Sequence, residues 1–162
     1  MKRTTLLLTC IIGALVIAQA ADNQKSCRVT QAPTPAFVPP APFPAQLAAD
    51  PEDRFYLGST ELWASLWAGP WHGLPTDQGY RVKFPWFAVD IGRDETDRAA
   101  ISVTGRRLDA PAGPLLVEGP NVGMLPDYWF YASALVFPTE GCWEITAKRR
   151  DRRLTFVVWV GK

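Results

Sequence analysis

The stretch Cys142–Val160, CWEITAKRRDRRLTFVVWV, decides the fold. Trp143, Ile145 and Ala147 alternate with Glu144, Thr146 and Lys148. Further on, Phe156, Val158 and Val160 alternate with Thr155, Val157 and Trp159. A period of two places the two sets on opposite faces of a strand. The charged run Lys148–Arg153 (KRRDRR) separates the two segments and reads as the solvated turn of a hairpin. Its two arms are the predicted last strands of an antiparallel sheet, with one face toward a core.

Similar short segments lie upstream. Glu61–Trp67 (ELWASLW) sets Leu62, Ala64 and Leu66 against Glu61, Trp63, Ser65 and Trp67. Tyr80–Phe87 (YRVKFPWF) alternates until Pro85 interrupts the ladder. Ala100–Leu108 (AISVTGRRL) contains Gly105, where a bulge or bend is expected. Leu115–Val117 is short, and Tyr131–Phe137 (YASALVF) follows. The runs are rich in β-branched and aromatic residues and end at Gly, Pro or Asp. They predict an all-β fold, an antiparallel immunoglobulin-like β-sandwich of about 7–8 strands. No segment of average helix length, about eleven residues, is found after the N-terminus; Ala45–Arg54 is expected to form one turn at most.

The chain has 162 residues and a net charge of +1. Met1-Lys2-Arg3, an apolar run Leu6–Ile17 and Ala18-Gln19-Ala20 form a signal-peptide pattern, with cleavage near Ala20. The apolar run is too short to span a bilayer. The predicted division is therefore a signal peptide (1–20), a Pro-rich extended segment tied by Cys27 (21–51) and a β-sandwich domain (52–162). Losing Lys2 and Arg3 takes the charge from +1 to −1, which argues against nucleic acid as a partner. The expected location is secreted or periplasmic. The expected state is a monomer with no transmembrane segment after processing, no cofactor and no metal.

Three cysteines become two on export, because Cys10 leaves with the signal. Cys27 and Cys142 then meet an oxidising compartment, where two thiols commonly pair. The alternatives are free thiols or lipidation of Cys27. Lipidation is disfavoured because Gln24-Lys25-Ser26 precede Cys27 in place of an apolar run. Two cysteines and one histidine also lack the spacing of a zinc site. Ala32–Pro44 (APTPAFVPPAPFP) carries six of the fifteen prolines and reads as polyproline II. It is either a stiff tether or, with Cys27 bonded to Cys142, a strap along the domain whose Phe37, Val38 and Phe43 cover an apolar surface.

No catalytic motif emerges. His72 is the only histidine, and Ser59, Ser65, Ser102 and Ser133 lie in no Gly-x-Ser-x-Gly context; His72 reads as a surface-loop residue. Asp94, Glu95 and Asp97 in GRDETDR offer oxygen ligands for calcium, but Arg93 and Arg98 bracket them and favour a solvated loop. The basic turn Lys148–Arg153 reads as a soluble hairpin tip. The aromatic excess, seven tryptophans, stands out. Trp63, Trp67, Trp71 and Trp86 are the candidate binding surface, against the simpler reading that these rings fill a core or lie under a cover. Because Trp63 and Trp67 oppose Leu62 and Leu66, both sets cannot face one core.

Four blocks resemble a family of small exported bacterial proteins of unassigned function: Cys27-Arg28-Val29-Thr30; Glu61-Leu62-Trp63 with Leu66-Trp67; Gly105-Arg106-Arg107-Leu108-Asp109-Ala110-Pro111; and Phe137-Pro138-Thr139-Glu140-Gly141-Cys142-Trp143-Glu144-Ile145-Thr146. The resemblance implies an immunoglobulin-like sandwich with paired cysteines in the two outer blocks. The chain departs from it at Arg28 and Glu140, where the family tends to have proline, and at Ala147, where it tends to have glycine. It implies no activity and no catalytic residues. The function expected is a non-catalytic binding or interaction module at the cell envelope, its partner a protein or glycan. The alternatives are a carbohydrate-binding module using exposed aromatics and a small hydrolase using His72.

Overall fold

The computed structural model describes residues 26–44, 53–89, 91, 101–125 and 128–161. The segment expected to be a signal peptide, most of 45–54 and the GRDETDR loop lie outside them. The strands are β1 (Arg54–Ser59), β2 (Leu62–Trp67), β3 (Trp71–His72), β4 (Leu74–Thr76), β5 (Gly79–Phe87), β6 (Ile101–Arg107), β7 (Leu116–Leu125), β8 (Tyr128–Phe137), β9 (Gly141–Arg149) and β10 (Arg152–Gly161). They form two packed sheets, an antiparallel β-sandwich. One sheet runs β1-β2-β5-β8-β7 with β4 beside β5, and the other runs β3-β10-β9-β6. β3 pairs with β10 in parallel. The strand count exceeds the expected one because β3 and β4 are too short to show a period.

The terminal hairpin has the expected faces. Trp143, Ile145, Ala147, Phe156, Val158 and Val160 all enter the core between the sheets. On the other face the Thr146 and Thr155 hydroxyls hydrogen-bond at 3.0 Å. The turn is tighter than Lys148–Arg153, because Arg149 pairs with Arg152 across the hairpin and only Arg150 and Asp151 lie outside the strands. Arg150 takes a φ of 54°. Arg149 is buried, its guanidinium 5.8 Å from the centre of the Tyr131 ring.

Three local expectations are corrected. Pro85 does not interrupt β5, whose register with β8 runs unbroken through Pro85 and Ala132. On its other side β5 pairs with β4 up to Arg81 and with β2 only from Trp86. The residue without an amide donor therefore sits where one edge has no ladder. Gly105 makes no bulge either, since β6 and β9 stay in register across it. A Cβ there would lie 2.7 Å from Leu115 Cδ2, so the glycine lets Leu115 pack against the backbone. The bulge falls instead in β7, between Glu118 and Asn121, where Gly119 adopts a φ of 95°. β7 extends far beyond the short segment read at Leu115–Val117.

The first sheet is apolar on both faces. Its inner face joins the core through Leu62, Leu66, Phe84, Trp86 and Leu135. Its outer face carries Tyr56, Trp63, Phe87 and Tyr128, which close around Phe43 of the Pro-rich segment. Phe43 meets these four rings edge-on at 5.4, 6.0, 5.1 and 5.2 Å respectively. Phe37 lies 6.4 Å from Trp63. The Thr30 amide donates to the Val157 carbonyl at 2.9 Å, and the Val157 amide donates to Thr30 Oγ1 at 2.8 Å. A disulfide joins Cys27 to Cys142 in β9. Residues 26–44 therefore lie along the domain as a strap. Val38, expected to help cover the sheet, is 72% exposed.

Two of the blocks quoted above meet beside the disulfide. Arg107 Nε donates to Asp109 Oδ1 at 2.7 Å, and Arg107 also donates to Thr139 Oγ1 at 3.1 Å. Asp109 Oδ1 accepts the Cys142 amide at 3.2 Å. A Cβ at Gly141 would lie 2.8 Å from Arg107 Cζ, so this glycine admits the guanidinium. Burial pushes the Asp109 carboxyl up, but the Arg107 hydrogen bond, the Cys142 amide and the guanidinium charge outweigh it and hold the pKa below the usual value. A depressed folded pKa gives stability that is present above the unfolded value, about 3.9, and lost as pH falls through the folded one. Asp109→Asn should therefore cost about 1–3 kcal/mol near neutrality. Thermal melts should show a constant gap from the parent above about pH 5, closing below about pH 4.

Candidate functional site

Among the described residues, the strap covers only part of the outer face of the first sheet. Beside Phe43 that face opens into a groove of about 490 Å³, lined by Arg54 and Tyr56 (β1), Ser65 (β2), Lys83, Phe84, Pro85 and Phe87 (β5), Leu125 (β7), and Phe130 and Ala132 (β8). Strand alternation explains the set except Phe84, which faces the core. Val82, Phe84 and Trp86 point into the core, so Lys83, Pro85 and Phe87 point out. Phe130 is held over the flat backbone of Gly123, where a Cβ would fall against its ring. The charged residues of the lining, Arg54 and Lys83, are both cations.

The tryptophans proposed as an exposed surface are placed otherwise. Trp63 and Trp86 are fully buried and Trp71 is 2% exposed, so these three form no open platform. Trp63 lies under Phe37 and Phe43. Trp86 donates from Nε1 to Ser133 Oγ at 3.3 Å inside the sandwich. Trp71 stacks on Phe84 at 5.0 Å. Trp67, half-buried, leaves the alternation at the end of β2. It packs at 5.2 Å on Trp71, with the Arg54 guanidinium 4.8 Å over its ring. Burial is the physical reason for the correction: large rings supply the volume of two apolar layers.

Trp67 and Trp71 edge a second cleft of about 450 Å³, lined also by Asp53, Gly69, Pro70, His72 and Val82. His72 is exposed on β3, not on a loop. No serine, threonine or cysteine is among the described residues lining this cleft, so those residues supply no hydroxyl or thiol partner of the triad kind for His72. Asp94, Glu95 and Asp97 lie outside the described residues. At the basic hairpin tip, Arg152 is ion-paired with Glu61.

The groove was not singled out in the sequence, although a signal for it is present. The consecutive apolar residues Trp86-Phe87 and Tyr128-Trp129-Phe130-Tyr131 mark strands covered on both faces. No helix among the described residues is long and apolar enough to cross a membrane. No family model, curated protein or solved structure matches the chain. Fold and site together define an all-β sandwich with a disulfide-tied strap and an apolar groove beside it.

Proposed function

We propose that this chain is an exported, non-catalytic immunoglobulin-like sandwich that serves as a binding module at the bacterial cell envelope, and that the groove beside Phe43 is its binding surface. The groove carries this reading: a concave, mostly apolar site with few polar groups is the usual form of a ligand pocket, and among the described residues it interrupts a face the strap otherwise covers. The signal-peptide pattern and the Cys27–Cys142 bond support export into an oxidising compartment, in keeping with the exported family that the four blocks resemble. Burial of Trp63, Trp71 and Trp86 weighs against a sugar-stacking platform, and the lining of the His72 cleft weighs against a hydrolase.

A neutral apolar dye such as Nile red tests the groove. It should bind the parent saturably at one site. Ala132→Trp, which fills the groove, should reduce that binding by about tenfold or more while the protein remains folded. Non-saturable or absent dye binding would remove the reading.

A further inference from the structure

We infer that the groove receives a single-chain anionic amphiphile, a fatty-acid carboxylate whose alkyl chain lies against Tyr56, Phe87, Leu125 and Phe130 while its carboxylate meets Arg54 and Lys83. This rests on the reading of the groove as the binding surface and adds the chemistry of its ligand. The volume, about 490 Å³, falls in the range of small-molecule sites, roughly 300–1,000 Å³. Its walls are aromatic and aliphatic, as an alkyl chain requires.

Charge selects the headgroup. Four other arginines are paired with carboxylates: Arg81 with Glu118, Arg106 with Glu144, Arg107 with Asp109 and Arg152 with Glu61. Arg28, Lys148 and Arg153 have no carboxylate partner among the described residues, but none of them lines the groove. Among the described residues, Arg54 and Lys83 have no carboxylate partner, and no acid lines the groove. The Arg54 guanidinium is steadied over the Trp67 ring, which limits its freedom before a ligand arrives. A carboxylate between a guanidinium and an ammonium gains charge-assisted hydrogen bonds. A neutral chain leaves both cations as they are, and a cationic one is repelled.

Titration calorimetry with laurate, below its micellar concentration, and with dodecanol, the uncharged chain of equal length, tests the inference. Laurate should bind one to one and about tenfold or more tighter than dodecanol. Lys83→Glu should weaken laurate by about tenfold and leave dodecanol unchanged. Ala132→Trp should abolish both, and Leu125→Glu at the rim should serve if the first variant does not fold. Equal binding of the two probes, or an unchanged laurate affinity in Lys83→Glu, would overturn the anionic ligand and leave the apolar groove standing. Absence of binding by either probe, or binding that persists in the folded blocking variants, would overturn the ligand and the groove together.

Discussion

Replacing Cys27 and Cys142 together by alanine is expected to lower the unfolding free energy by about 5 kcal/mol. The bond joins residues 115 apart. The chain-entropy relation assigns a closed loop of that length close to this value at 25 °C, comparable with the lower end of a domain's whole stability, about 5–15 kcal/mol. The effect lies mainly in the unfolded chain, which regains the freedom the loop denied it. The folded strap has other attachments, since Thr30 remains hydrogen-bonded to Val157 and Phe43 remains among four rings. The variant should therefore fold to the same structure, with a melting temperature lower by on the order of 15 °C. Parent protein in strong reductant should behave alike. An unchanged melting temperature would remove the bond from the account of stability.

Trp86→Ala should cost about 3–5 kcal/mol, the usual range for deleting a buried aromatic. The ring is fully buried, 4.6 Å from Phe84 and 6.0 Å from Phe156, and so bridges the two sheets. Its loss leaves a void between them and strands the Ser133 hydroxyl, which now accepts from Nε1. A sharper comparison uses phenylalanine. Trp86→Phe gives up that hydrogen bond, whereas Trp71→Phe gives up none, because Trp71 Nε1 has no partner among the described residues. Urea unfolding should rank Trp86→Phe below Trp71→Phe by about 1 kcal/mol. Equal values would mean that the Ser133 contact contributes nothing.

The terminal hairpin was legible because each of its strands has one core face and one wetter face, so alternation reports both its existence and its orientation. The Cys27–Cys142 pairing was legible from export arithmetic alone. β7 was not, because Gly119-Pro120 and Gly123 break its pattern and only its register with β8 reveals its length. The opposed faces of Leu62 and Trp63 were visible in the sequence, but alternation cannot tell a covered face from a wet one. Phe37 and Phe43, about twenty residues or more upstream, make that decision for Trp63. The groove was illegible for a related reason. Its walls come from five strands and the strap, and no short window of sequence contains them.

The most direct test of the open outer face is a methyl-resolved NMR titration with a neutral apolar probe. Saturable shifts should concentrate on the methyls of Ala132 and Leu125, which line the groove, and leave those of Val158 and Ile145 in the core unmoved. Shifts that gather instead on Val82, near the Trp67–His72 cleft, or no saturable shift at all, would contradict the assignment of the groove as the binding surface.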